Sequence, residues 1–283
     1  MNRRILPSLV AAATLVAAGC AQGPSDNPTG YGPTSSTPSP TNSDETKAIE
    51  NFDFTSAEWY DARSQQTLKP AATGSQRDSW WRIDNGTDGN PVQYGDLNGD
   101  GYEDAVAWLT SGEGDGYWHY AYVWTWDPEQ GTAVQSPYPV TDDASCGNAT
   151  ESLEVDADSG EIKVTRLIRN NEPCSELPAQ KITNTIALEN GVPIRTSPLR
   201  ASTSPCLAPA SDSRKTTDVL TRPLKLAPEE GAPELALDRV DRVVLGGGRD
   251  QTVNGYHQVL YRWGDDSLTW YCAYTDEVAI AGG

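Results

Sequence analysis

Phenylalanine and methionine are nearly missing from this chain: its 283 residues hold two Phe and one Met. Helical signals are equally scarce. Val, Ile, Thr, Tyr and Trp recur instead in short runs, and these residue types suit a pleated, half-buried surface. Lys and Arg are absent between Arg82 and Lys163, a stretch that carries 17 Asp or Glu residues. The formal net charge is -19, and loss of Arg3 and Arg4 with a cleaved leader takes it from -19 to -21. A field of that sign repels phosphate backbones, which argues against nucleic acid as a partner, and it concentrates divalent cations. There is no G-x-S-x-G elbow, no P-loop glycine pattern and no H-E-x-x-H. No C-x-x-C pair stands beside the two histidines, so a zinc site lacks its ligands. His119 lies in an aromatic run and His257 follows Tyr256 in a predicted strand; both are expected to be packed. No catalytic group is identified. An envelope hydrolase using a pair of the many carboxylates is kept as an alternative without assigned residues.

The first 45 residues are not expected to contribute to the fold. Arg3 and Arg4 precede an apolar run, Leu9 to Ala18, that is too short to span a bilayer as a mature helix. No other segment is apolar enough to cross a membrane. Ala17-Ala18-Gly19-Cys20 resembles the lipobox of bacterial lipoproteins. That resemblance implies a signal peptide over residues 1–19, cleavage before Cys20, and lipid on Cys20. It implies an extracytoplasmic protein whose first partner is the membrane, reached through acyl chains. Residues 20–45 are rich in Pro, Ser, Thr, Gly and Asn and have almost nothing to bury, which predicts an extended linker of roughly 25–30 Å.

Residues 46–283 read as mainly β, in antiparallel sheets and hairpins. Turn residues punctuate apolar-alternating runs at strand-like intervals. Trp80 to Ile83 is a predicted strand. Ser152 to Val155 and Glu161 to Ile168 form a predicted hairpin, and Lys181 to Leu188 a strand ended by Asn190-Gly191. Tyr256 to Trp263 and Leu268 to Thr275 form a last hairpin around residues 264–267. Pro233 to Leu245 fits a helix or a strand equally. Thr196 to Thr217 lacks periodicity and is expected to be a long surface connection. It divides a β domain at 46–198 from a C-terminal β subdomain at 199–283, with one continuous domain as the alternative.

The clearest site chemistry lies in Asp96-Leu97-Asn98-Gly99-Asp100-Gly101-Tyr102-Glu103-Asp104. Oxygen-bearing side chains stand at positions 1, 3, 5 and 9, a spacing that suits calcium, which takes six to eight oxygens. Asp96, Asn98, Asp100 and Asp104 would offer side-chain oxygens and Tyr102 its carbonyl. Gly101 would permit the sharp turn, and Leu97, Gly99 and Glu103 would point away. An EF-hand is excluded, because position 12 is Ala107 and the flanks read as strands. The stretch resembles the calcium loops of FG-GAP and VCBS repeat proteins, including integrin-type blades, over roughly residues 92–135. In those families the loop runs straight into an apolar strand, here Ala105 to Leu109. Only one copy is present, so the resemblance implies one blade-like calcium loop and not a propeller. Glu113 and Asp115 are further candidates if their loop, Ser111 to Gly116, folds back.

Cysteines and aromatics complete the reading. With Cys20 assigned to lipid, Cys146, Cys174, Cys206 and Cys272 remain, an even number that points to two disulfides in an exported protein. Three connectivities are open. Cys146 and Cys174 bracket the 152–168 hairpin, which favours their pairing and leaves Cys206 for Cys272. From Trp118 the aromatics alternate as Trp118, Tyr120, Tyr122, Trp124 and Trp126, so in a strand they share one face. Such a face is either core or a platform for sugar rings of a cell-wall glycan. The expected function is binding or structural work at the cell envelope, toward a glycan or an envelope protein, with calcium as the only cofactor.

Overall fold

The computed structural model describes residues 43–68, 73–76, 79–84, 90–206, 222–246, 252–263 and 270–276. The expected signal peptide, Cys20 and nearly all of the linker lie outside them. The first described residues act as a cover. A short helix, Ser43–Thr46, and a 3-10 turn, Ala48–Asn51, lead into a small hairpin of β1 (Trp59–Asp61) and β2 (Gln66–Leu68). Ile49, Phe54 and Trp59 are buried beneath it. They pack on one face of a sheet built from β3 (Thr73–Gln76), β4 (Ser79–Asp84), β5 (Gln93–Gly95), β6 (Asp104–Glu113), β7 (Gly116–Asp127) and β8 (Thr132–Ala144). The order is β3-β4-β6-β7-β8, with β5 paired to the start of β6.

Alternation sorts the central hairpin onto two faces, as a period of two requires. Ala105, Ala107 and Leu109 of β6 join Tyr120, Tyr122 and Trp124 of β7 beneath the N-terminal cover. Val106 and Trp108 join Ala121 and Val123 on the opposite face. That second face packs against Leu153, Ile162, Val164 and Ile186. These come from an antiparallel meander, β9 (Ala149–Asp156), β10 (Glu161–Ile168), β11 (Gln180–Glu189), β12 (Val192–Ser197) and β13 (Ala201–Ser202). The Gln93 side chain ties the two sheets together. It donates to the Leu153 carbonyl at 2.7 Å and accepts from the Val155 N–H at 2.9 Å, which satisfies edge groups of β9.

A third sheet follows: β14 (Leu224–Lys225), β15 (Glu234–Leu235), β16 (Val240–Leu245), β17 (Thr252–Val253), β18 (Tyr256–Trp263) and β19 (Tyr271–Thr275). Its order is β15-β14-β19-β18-β16, with β17 on β18. Leu224, Leu226, Leu235, Val259 and Tyr261 share a core with Val192, Ile194 and Ala201. Every strand pairing among the described residues is antiparallel, as the mainly β reading expects.

Two sequence expectations change. Pro233 to Leu245 is neither one helix nor one strand: a two-residue strand at Glu234–Leu235 and a 3-10 turn at Leu237–Arg239 precede β16. The stretch from Thr196 is not simply a surface connection. Ile194 pairs with Ser202 and Arg195 with Ala201, and Ala201, Ser202 and Ser204 are buried. The expected boundary at 198/199 therefore falls inside a sheet, and all described residues belong to one compact unit, Ser39–Gly283. Short polar residues carry no apolar period, so this buried return strand was silent in the sequence. The rest of that stretch, 207–217, and the turn at 264–267 lie outside the described residues.

Candidate functional site: the acidic loop at 96–104

The loop joins the end of β5 to the start of β6 and turns back on itself. Gly99 and Gly101 sit at φ +77° and +90°, backbone angles that favour glycine. Asp96 closes the turn: one oxygen, Oδ1, accepts the N–H groups of Gly99 and Asp100 at 2.8 and 3.1 Å, and Oδ2 accepts that of Gly101 at 3.0 Å. Asn98 Oδ1 accepts the Asp100 N–H at 2.9 Å, and Asp100 Oδ1 accepts the Tyr102 N–H at 2.8 Å. Asn98 and Asp100 are exposed.

Asp104 is fully buried. Its Oδ2 accepts the Leu97 N–H at 3.0 Å and its Oδ1 the Trp126 N–H at 2.9 Å. One carboxylate thus pins the start of the loop and the end of β7 to the first residue of β6. Burial pushes the Asp104 carboxyl up to about 7; the two N–H donors pull the other way, and the charges of Asp100 and Asp96 add to the rise. Leu97 turns inward to the sandwich core, away from the donors, as expected. Glu103 faces Lys47 at 2.7 Å and donates its N–H to the Thr46 carbonyl at 2.7 Å, which fastens the N-terminal cover to the loop. The turn between β9 and β10 buttresses the loop from the other side. A Cβ at Gly160 would stand 2.6 Å from the Asp96 carbonyl oxygen, so only glycine fits there. Lys47 and Gly160 had no signal in the loop's own sequence, because they stand 49 residues before Asp96 and 56 after Asp104.

The donors are of the right chemistry for calcium: hard oxygens gathered in one closed turn, with negative charge enough to perturb Asp104. Among the described residues, no group of three or more His, Cys, Asp or Glu side chains forms a metal-holding cluster. The oxygens of Asp96 and Asp104 already accept N–H donors, each retaining a further lone pair. Glu113 and Asp115 do not join them. They sit at the far turn of the β6–β7 hairpin, and a ten-residue strand separates that turn from Asp104 by about 30 Å.

The aromatic face of β7 is core. Tyr120, Tyr122 and Trp124 are buried, and Trp118 and Trp126 are partly buried against the same cluster. Trp59 meets Trp124 edge-on at 4.9 Å, the Ala62 N–H donates to Tyr122 Oη at 3.0 Å, and Arg63 lies over the Trp118 ring. Of the two roles open for Trp118, Tyr120, Tyr122, Trp124 and Trp126, burial selects packing, because the upstream cover occupies the face a sugar would need. His119 stacks on Trp108 at 4.3 Å, and burial pushes its imidazole down to about 4. It stays neutral and packed. Both disulfides form in the favoured pairing, Cys146–Cys174 and Cys206–Cys272, with Cα atoms 4.7 and 5.5 Å apart.

Compared with protein-family models, with curated proteins and with solved structures, the chain finds no match.

Proposed function

We propose that this chain is a lipid-anchored extracytoplasmic binding protein whose folded part is stabilised by one calcium ion at residues 96–104. The observation that carries the location is the pair of disulfides, which persist in oxidising compartments and are rare in reducing ones. The lipobox-like Ala17-Ala18-Gly19-Cys20 supports attachment through Cys20. The calcium reading is supported by the oxygen donors of Asp96, Asn98, Asp100 and Asp104, with the Tyr102 carbonyl as a fifth. Calcium bound there would neutralise the carboxylates and hold the loop shut; it takes part in no reaction. The FG-GAP and VCBS likeness of the loop favours this structural role.

Two measurements test the reading separately. Membrane fractionation is expected to find the wild type with membranes and Cys20→Ser in the soluble fraction; a membrane-bound Cys20→Ser would refute the anchor. Titration calorimetry is expected to give one calcium-binding heat that Asp100→Ala removes. An unchanged heat in Asp100→Ala would place the ion elsewhere.

A further inference from the structure

A cavity of about 560 Å³ opens beside the Cys206–Cys272 disulfide, between one face of the five-stranded sheet and the segments around Leu199 and Trp270. Register fixes what that face presents. Arg166 pairs with Ile182 and Arg195 with Ile186, and cross-strand partners share a face. Arg166 on β10, Asn184 on β11 and Arg195 on β12 therefore stand on adjacent strands and line the same cavity. The apolar wall comes from Ile168, Ile182, Leu199 and Trp270.

The polar groups of this cavity are under-satisfied. Arg195 Nε is buried without a hydrogen-bond partner, as are Arg166 Nε and Asn184 Oδ1. Among the described residues no carboxylate pairs with Arg195; its guanidinium lies over the Tyr271 ring at 4.6 Å. Arg166 is engaged on one side only, donating through Nη2 to the carbonyl and carboxylate of Asp142 at 2.7 Å each. Among the described residues Asp142 is the only acidic one lining the cavity, so two guanidiniums there face one carboxylate, an excess of one positive charge. This stands in a chain of net charge -19. An unpaired guanidinium cannot lose its proton to escape the cost of burial. With so many acids available to the sequence, leaving Arg195 unpaired calls for a partner from outside.

We propose that the cavity binds a small organic monoanion, a carboxylate with an apolar body, seated with its carboxylate on Arg195. The planar guanidinium fork matches a carboxylate with two parallel N–H donors, which an ammonium cannot do. One negative charge cancels the excess positive one. The Asn184 amide, whose oxygen and nitrogen are interchangeable by a flip, can turn a donor toward the same anion. The isoleucines, Leu199 and Trp270 take the apolar body, and a cavity of this volume falls within the range of ligand sites. This inference concerns a different part of the molecule from the calcium loop and does not rest on it.

The test is titration calorimetry on the full disulfide-bonded chain in chelator, so that failure of the calcium reading cannot affect it. The probes are acetate, octanoate, benzoate and 3-phenylpropionate, the amides of the last three, and inorganic phosphate. At least one of the larger carboxylates is expected to bind saturably at one site, at least tenfold tighter than its amide and than acetate. Arg195→Gln is expected to weaken that binding at least tenfold. Ile168→Trp, which narrows the apolar part of the cavity and keeps both guanidiniums, is expected to weaken the larger carboxylates more than acetate. The proposal is overturned if no carboxylate binds, if an amide binds as tightly as its acid, or if phosphate binds as tightly as the best carboxylate. Undiminished binding by Arg195→Gln overturns it too. Should Arg195→Gln fail to fold, Arg195→Lys decides alone, because it keeps the charge and loses the planar fork, and binding undiminished by it refutes the site.

Discussion

Asp104 and Arg195 are both charged side chains set against apolar packing, and the fold treats them oppositely. Both oxygens of Asp104 accept backbone N–H groups, the buried one of Leu97 and the partly buried one of Trp126. Arg195 Nε has no hydrogen-bond partner. Removing the carboxylate strands two donors; removing the guanidinium strands nothing. The acidic side chain is thus part of the frame, whereas the basic one is a cost that the frame carries. A charge that backbone groups fully engage is explained by folding, and a charge they ignore needs another explanation.

The largest expected effect attacks the first half of this contrast. Asp104→Ala leaves the Leu97 and Trp126 N–H groups without acceptors, at about 1–3 kcal/mol each. The loss expected in urea unfolding with chelator present is therefore about 2–6 kcal/mol. A loss below about 1 kcal/mol would show that the carboxylate is not part of the frame.

The next effect concerns the wall of the arginine cavity. A Cys206→Ser, Cys272→Ser double variant removes a crosslink between residues 66 apart. It is expected to lower stability by about 2–4 kcal/mol in the loop-entropy account. Any calcium response of the distant loop should remain as in the wild type, measured by melts with and without the ion. Loss of that response would mean that the two regions are coupled.

Arg195→Met reverses the sign. Replacing a half-buried cation that has no carboxylate partner among the described residues by an apolar side chain of similar length is expected to stabilise the ligand-free protein by about 1 kcal/mol. A loss of several kcal/mol on the same urea curves would show that Arg195 belongs to the frame after all. The smallest effect is at the rim of the acidic loop. The Lys47–Glu103 pair is largely solvated on the lysine side, so Lys47→Ala should shift the same urea curves least of all, and less still at high salt.

The same contrast explains what could be read in advance. The acidic loop was legible because its donors are contiguous and their spacing is fixed by one turn. The strands over Glu161–Ile168, Lys181–Leu188 and Tyr256–Trp263 were legible because period-two alternation is local. Cys146 and Cys174 could be paired because they bracket one hairpin. The role of the aromatic stripe was not legible, since alternation shows that Tyr120, Tyr122 and Trp124 share a face but not what covers it. Ile49, Phe54 and Trp59 cover it from 60 or more residues upstream. The cavity was invisible for the same reason: Arg166, Asn184, Arg195 and Trp270 span over 100 residues, and only strand register brings them together. Pro233 to Leu245 misled because its apolar residues serve a strand, a 3-10 turn and another strand in succession.

The measurement that tests the proposed calcium loop most directly is a thermal melt of wild type and Asp100→Ala, each in chelator and in millimolar calcium. An ion that binds only the folded form adds RT ln(1 + [L]/Kd). With roughly 2 mM calcium and a Kd of about 10⁻⁴ M, in the range of extracellular sites, that is about 1.8 kcal/mol. For a domain of this size the wild-type midpoint should rise by about 4–7 °C. Asp100→Ala should show no rise, and magnesium should give little, because it requires a smaller octahedral shell. A wild-type midpoint that is the same in chelator and in calcium would contradict the account.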